Sequence, residues 1–268
     1  MDILTFVHAV FLGVLEGLTE FLPVSSTGHL ILFVDLLGFR GPPGRVFEVA
    51  IQFGAILAIC WVYRAKLLRV MAGLLARDAD SLRFTAAVLL AFIPAVVIGM
   101  LLHSFIKEVL FSPWVVAVSL IVGGVAIMFI ERNRPPPIYD VIERIPLAVP
   151  LIIGLAQTLA MIPGVSRAGA TIMSALLLRV ERRTATEFSF FLSIPTMLGA
   201  AVYDLYKNRA TLTFDGAAVI AVGFIFAFIA AMLVVRWVIA FISRHGFEPF
   251  GWYRIAVGSI MIAVLLAR

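Results

Sequence analysis

The sequence predicts an all-α integral membrane protein built from inverted-topology repeats, with six transmembrane helices plus two re-entrant helical hairpins. Three observations predict it. The chain is 62% hydrophobic and only 14% charged, far outside the soluble range. Several apolar runs reach 18 residues or more, enough to cross a bilayer. A short Gly-Ser element occurs twice, 141 residues apart: Gly13-Val14-Leu15-Glu16 then Val24-Ser25-Ser26-Thr27-Gly28, and Gly154-Leu155-Ala156-Gln157 then Val165-Ser166-Arg167-Ala168-Gly169.

The elements follow in order. The N-terminal Met-Asp-Ile-Leu lacks the basic region of a secretory signal, so the first apolar segment is expected to be retained. Residues 3–15 are apolar for only 13 positions before Glu16, short for a span. Pro23 breaks the helix, a Ser-Ser-Thr-Gly loop follows, and residues 30–38 form a second short apolar stretch. Two half-length helices around a polar loop read as a re-entrant hairpin over 3–38, because irregular backbone is tolerated at membrane depth only where protein or water covers it. Residues 46–63, 84–102 and 113–130 are full spans. The polar, Pro-rich segment 131–146 is a linker between a first repeat (1–130) and a second (147–268). The second half repeats the order: a hairpin over 147–179 with its loop at Pro163–Gly169, then spans at about 187–206, 214–241 and 250–267. Three crossings per half invert the second repeat, and all parts form one integrated membrane domain.

Lys/Arg bias sets the orientation. The loops 64–83, 131–147, 179–186 and 236–250 share one side and hold 13 Lys/Arg, against 6 in 38–46, 103–113, 203–216 and the C-terminus. The richer side is expected to be cytoplasmic, with both termini and the first hairpin's mouth on the periplasmic face. The second hairpin then enters from the cytoplasm, and the two polar loops meet near mid-membrane. The formal charge of +5 belongs to lipid-facing flanks rather than to nucleic acid, since no basic run with interleaved aromatics is present. Cys60, the single cysteine, excludes an intramolecular disulfide and reads as a packing residue. No GxxxxGK[ST], HExxH or CxxC pattern occurs, which argues against an ATPase, a zincin and a thiolate metal site.

The chemistry concentrates in the repeated element, whose copies differ in charge. Glu16, Glu20 and His29 stand opposite Gln157, Met161 and Ala170, while Arg167 stands opposite Ser26. Glu16 and Glu20 share a helix face and are costly in a membrane unless solvated or functional, holding a metal–phosphate complex or dividing acid and base work. His29 suits proton transfer, or attack on phosphorus, or a structural hydrogen bond. Ser25, Ser26 and Thr27 open a helix and either cap it or help its free N–H groups receive an anion. Gly164 and Ser166 offer a similar helix start, with Arg167 as a phosphate clamp or as a salt-bridge partner of Glu16 or Glu20. Gly13 and Gly17 form a GxxxG packing step, Pro94 and Pro195 are read as span kinks, and Glu48, Gln52, Glu187, Ser189 and Ser193 are weaker candidates for the same cavity.

The strings Glu16-Gly-Leu-Thr-Glu20-Phe-Leu-Pro-Val-Ser-Ser-Thr-Gly-His29-Leu and Pro163-Gly-Val-Ser-Arg167-Ala-Gly-Ala-Thr171 strongly resemble the bacterial undecaprenyl-diphosphate phosphatases, the bacitracin-resistance family. The resemblance runs over essentially the whole chain, including Ile51-Gln52-Phe53-Gly54 and Glu187-Phe-Ser-Phe-Phe. It implies an inner-membrane enzyme that hydrolyses undecaprenyl diphosphate to the monophosphate, recycles the cell-wall lipid carrier and confers bacitracin resistance. By position, the family's acidic motif falls on Glu16 and Glu20, its histidine on His29, and its second motif on Ser166 and Arg167. Ala168 stands where a serine is usual, and no role is assigned there.

On this reading Arg167, helped by Ser166 and loop N–H groups, clamps the diphosphate. Glu20 or His29 deprotonates the attacking group, which is water, Ser26 or, directly, His29. Glu16, with Glu20, holds a divalent cation (Mg2+ or Ca2+) if one is used, and no organic cofactor is expected. The expected partners are a polyprenyl diphosphate and membrane lipids, with a homo-oligomer left open. The main competitor is a transporter or flippase for a polyprenyl phosphate lipid, which inverted repeats also fit; a structural membrane protein leaves the buried charges unexplained.

Overall fold

A computed structural model of the chain describes residues 2–39, 41, 46–105, 112–208 and 216–267. The polar loops 38–46, 103–113 and 203–216 used in the charge count lie largely outside the described residues. Every described element is helical apart from one isolated bridge between Tyr139 and Val180.

The order is α1 (Ile3–Thr19), α2 (Ser26–Leu37), α3 (Val46–Val62), α4 (Arg64–Leu75), α5 (Ala79–Phe105), α6 (Pro113–Asn133), α7 (Ala148–Gln157), α8 (Arg167–Leu177), α9 (Arg182–Asn208), α10 (Ala217–His245) and α11 (Glu248–Ala267). Among the described residues, α5, α6, α10 and α11 are long and apolar enough to cross a membrane, and α3 with α4 makes a fifth if that pair is one bent span. The chain is a multi-pass membrane protein on these features. Helix α9 is as long as α5 but begins Arg182-Arg183 and carries Glu187, so it is more polar than its length suggests. Helix α4 turns 74° from α3 and buries none of its residues. It exposes Leu68 and Met71 and carries Arg64, Lys66 and Arg69, the pattern of a helix lying along an interface.

Close packing positions the two short helix pairs. Helix α1 lies against α10, and a Cβ placed on Gly13 or Gly17 would sit 2.3 Å from the Gly223 carbonyl oxygen or 2.4 Å from that of Ala227. The GxxxG step is therefore a backbone-to-backbone seat, as the sequence suggests. Helix α6 pairs with α11, α3 with α10, and α5 with α7. Pro94 and Pro195 lie inside α5 and α9. The main apolar core gathers Phe21, Phe84, Phe188, Phe190, Phe191 and Phe247 around α8 and α9. Its rings meet edge-on, Phe21 with Phe190 and Phe84 with Phe191, the geometry their quadrupoles favour.

Candidate active site

Each short helix pair turns through a serine in the left-handed region. Ser25 has φ 71° and Ser166 φ 73°, and each is the N-cap of the helix that follows. Ser25 Oγ accepts from the Gly28 N–H at 3.3 Å, and Ser166 Oγ from the Gly169 N–H at 3.1 Å. The capping reading therefore holds for these two hydroxyls. A non-glycine residue held at positive φ costs about 1–3 kcal/mol and persists where the surroundings dictate it. Gly164, just before Ser166, has φ 94°, and a Cβ there would meet the Val116 carbonyl oxygen at 2.7 Å, so only glycine fits.

The two loops touch. Ser166 Oγ lies 3.4 Å from the Leu22 carbonyl oxygen, and Arg167 Nη2 donates to Glu20 Oε1 at 3.0 Å. The other Glu20 oxygen accepts from the Ser26 hydroxyl. Arg167 is held from behind as well: its Nη1 donates to the Ser189 carbonyl at 2.8 Å and reaches Ser189 Oγ at 3.3 Å. Ser189 Oγ and Thr171 Oγ1 are 2.7 Å apart, and the guanidinium stands 5.9 Å from the centre of the Phe21 ring. Arg167 Nε has no hydrogen-bond partner.

Between the loops lies a cavity of about 240 Å³ with polar and apolar walls. Glu20, Ser25, Ser26, Thr27 and Gln52 wall it from the first half; Gly164, Ser166, Arg167 and Thr196 wall it from the second, with Ala160, Met161, Pro163 and Met197 as the apolar part of its lining. The structure thus brings together every expected diphosphate-binding residue (Ser25, Ser26, Thr27, Gly164, Ser166, Arg167), Ser26 being also the candidate nucleophile, and one of the two expected bases, Glu20.

Two expected residues stand elsewhere. His29 is 2% exposed and does not wall the cavity. Its Nδ1 lies 2.7 Å from the Ser25 carbonyl oxygen and its Nε2 2.8 Å from the Tyr253 hydroxyl. A carbonyl only accepts, so in this geometry Nδ1 carries the proton, and Nε2 of the neutral ring accepts from Tyr253. Both nitrogens are thereby committed to protein partners. Glu16 is fully buried one turn before Glu20, and neither of its carboxylate oxygens has a hydrogen-bond partner. No group of three or more His, Cys, Asp or Glu stands together among the described residues. Two carboxylates suit a hard cation only if phosphate oxygens supply the remaining ligands; Glu20 stands on the cavity wall for that role, whereas Glu16 does not. Of the weaker candidates, Gln52 walls the cavity and Ser189 seats Arg167. Ser193 bonds the Phe190 carbonyl and Glu187 pairs with Arg183.

The family model described as "Bacitracin resistance protein BacA" matches residues 9–260. The chain belongs to the BacA family. Among curated BacA relatives, "Undecaprenyl-diphosphatase 2" of Paramagnetospirillum magneticum is 55% identical over 97% of this chain and 99% of that protein. "Undecaprenyl-diphosphatase" of Cereibacter sphaeroides is 56% identical over 96% of each. Its namesake from Acinetobacter baumannii is 52% identical over 96% of this chain and 94% of that protein.

Sequence reasoning overlooked Arg254 and Tyr253 in this BacA chain. Arg254 is 1% exposed and Tyr253 bonds His29. The signal was present: Arg254 is a charge inside the apolar run 250–267, and an intramembrane arginine is a functional hypothesis by default.

Proposed function

We propose that this chain is an undecaprenyl-diphosphate phosphatase: it hydrolyses undecaprenyl diphosphate to undecaprenyl phosphate and inorganic phosphate, recycles the cell-wall lipid carrier and confers bacitracin resistance. One observation carries the chemistry: Arg167 of the second loop meets Glu20 of the first at 3.0 Å on the wall of a shared cavity. Diphosphatase relatives covering nearly the whole chain favour an enzyme over a transporter.

The chemistry follows the wall residues. The terminal phosphoryl group sits against Arg167, Ser166, Ser25 and Thr27, where helix starts and the guanidinium offset its charge. Arg167 turns from Glu20 toward the phosphate, and its unpartnered Nε–H adds a donor. Glu20, so released, accepts the Ser26 proton. Ser26 Oγ then attacks the terminal phosphorus, the bond from that phosphorus to the bridging oxygen breaks, and undecaprenyl phosphate leaves. Glu20 gives that proton to the departing undecaprenyl phosphate; the freed carboxylate then takes a proton from water, which displaces inorganic phosphate from Ser26, and Ser26 Oγ recovers the proton from Glu20. Before substrate enters, nucleophile, base and the group orienting the base form one hydrogen-bonded chain, Ser26 to Glu20 to Arg167, the usual mark of an activated hydroxyl. This assignment gives the proton transfer to Glu20 rather than to His29, which holds the Ser25 carbonyl instead. A divalent cation, Mg2+ or Ca2+, would be held by Glu20 on the cavity wall, with Glu16 one turn behind it, and would supply further charge neutralisation. The apolar lining of Ala160, Met161 and Met197 is where the isoprenoid chain leaves toward lipid.

The architecture proposed with this function keeps six crossings and two re-entrant hairpins, α1–α2 and α7–α8, in inverted halves joined by a linker at 131–146. The matched serine caps, φ 71° and 73°, support that equivalence. The protein sits in the bacterial inner membrane with its site open to the periplasm. The test is phosphate release from undecaprenyl diphosphate by the purified chain in detergent, with and without chelator. Release that Arg167→Ala abolishes is expected; a chain that binds the lipid but frees no phosphate returns the reading to a transporter.

A further inference from the structure

Arg254 has no task in the mechanism above, yet it is the largest side chain buried below 2% exposure. Its five N–H groups all donate to main-chain carbonyls: Nε to Leu120 at 3.3 Å, Nη1 to Pro23 at 3.0 Å and Val165 at 2.9 Å, Nη2 to Ser119 at 3.0 Å and Gly164 at 2.9 Å. An arginine has five such donors, so this one is saturated. None of these partners is a carboxylate.

The carbonyls come from three places: the first loop (Pro23), the second loop (Gly164, Val165) and α6 (Ser119, Leu120). We propose that Arg254 is a positioning residue of the phosphoryl-transfer site, locking the two serine loops against each other in the geometry that receives the diphosphate. The inference rests on the phosphatase reading. Two observations support it. First, Ser25 follows Pro23 by two residues and Ser166 follows Val165 directly, and both serines are held at positive φ. Strained residues persist only where their surroundings over-determine them, and Arg254 grips the chain just before each. Second, a carbonyl committed to Arg254 is turned away from the diphosphate, which it would repel. The peptide is planar and trans, so fixing the Val165 carbonyl also fixes the Ser166 N–H on the opposite side.

Two variants test this. Arg254→Lys keeps the charge but has three donors for five carbonyls. Gly123→Ala leaves Arg254 in place, but its new Cβ would fall 2.1 Å from Nη2 and must displace the guanidinium. For each, kcat is expected to drop by about 100-fold, the size seen when reacting groups are misplaced by about 1 Å. KM is expected to stay within about threefold, with the elution of a folded chain and a melting temperature only a few degrees below that of the wild type. A merely structural tie would lower the melting temperature and leave kcat per folded molecule unchanged. The inference is overturned if either variant is folded and keeps kcat within about threefold of the wild type; should Arg254→Lys fail to fold, Gly123→Ala decides alone. A wild-type chain that releases no phosphate in the same assay overturns the phosphatase reading instead, and this inference with it.

Discussion

Ser25 and Ser26 are adjacent in sequence and differ in what their hydroxyls meet. Ser25 Oγ caps α2, whereas Ser26 Oγ donates to Glu20, which is itself paired with Arg167. Ser25→Ala is therefore expected to lower stability by about 1 kcal/mol through the lost cap, visible as a lower melting temperature. Ser26→Ala and Glu20→Gln are expected each to reduce kcat by about 100-fold or more, and the double variant by no more than the worse single, because the groups act as a unit. Multiplying losses in the double variant, measured by phosphate release, would refute the Ser26–Glu20 chain. Tyr253→Phe removes only the donor to His29 Nε2. Its effect on kcat should stay within about fivefold, the equivalent of one hydrogen bond of about 1 kcal/mol.

Among the elements, α1 owes its place to glycine. Gly17→Val would drive a branched side chain into the Ala227 carbonyl and the Ala230 side chain of α10. Overpacking at such a seat costs about 1–3 kcal/mol or more, so the variant should melt several degrees lower or fail to accumulate in membranes. A different device starts α5, at the membrane edge. The Asp78 carboxylate accepts from the Ser81 N–H at 2.9 Å and from the Ser81 hydroxyl at 2.8 Å. These bonds hold its pKa below the usual carboxylate value. A carboxylate with a depressed folded-state pKa stabilises above its unfolded pKa and loses that contribution as pH falls through the folded one. Amide exchange at Ser81, corrected for its intrinsic rate, should therefore accelerate as pH falls below the ordinary aspartate range, and Asp78→Ala should abolish the change. Equal pH dependence in both proteins would remove Asp78 as the cause.

For the whole molecule, the proposal commits to a sidedness. Thirteen Lys/Arg lie in the loops assigned to the cytoplasm and six in the others, a bias that sets orientation because basic loops resist translocation. With Cys60 replaced by serine, a membrane-impermeant maleimide added to intact cells should label Asp2→Cys and leave Arg77→Cys unlabelled. The opposite pattern would invert the molecule and place the first hairpin's mouth in the cytoplasm.

Much of this was written locally. Hydropathy marks the apolar helices, Pro23 and the Ser-Gly strings mark the loops, and the duplicated element marks which residues converge. These signals depend on near neighbours in the chain, and Glu20, Ser26 and Arg167 were legible for that reason. Folding decided which polar groups face the cavity. His29 belongs to the same string as Ser26, yet it turns behind Ser25 because Tyr253, 224 positions away, supplies its partner. Arg254 was one charge in an apolar run until packing placed carbonyls from α6 and both loops around it. Hydrogen bonds between distant segments have no period or spacing in the chain, so only the packed structure reveals them.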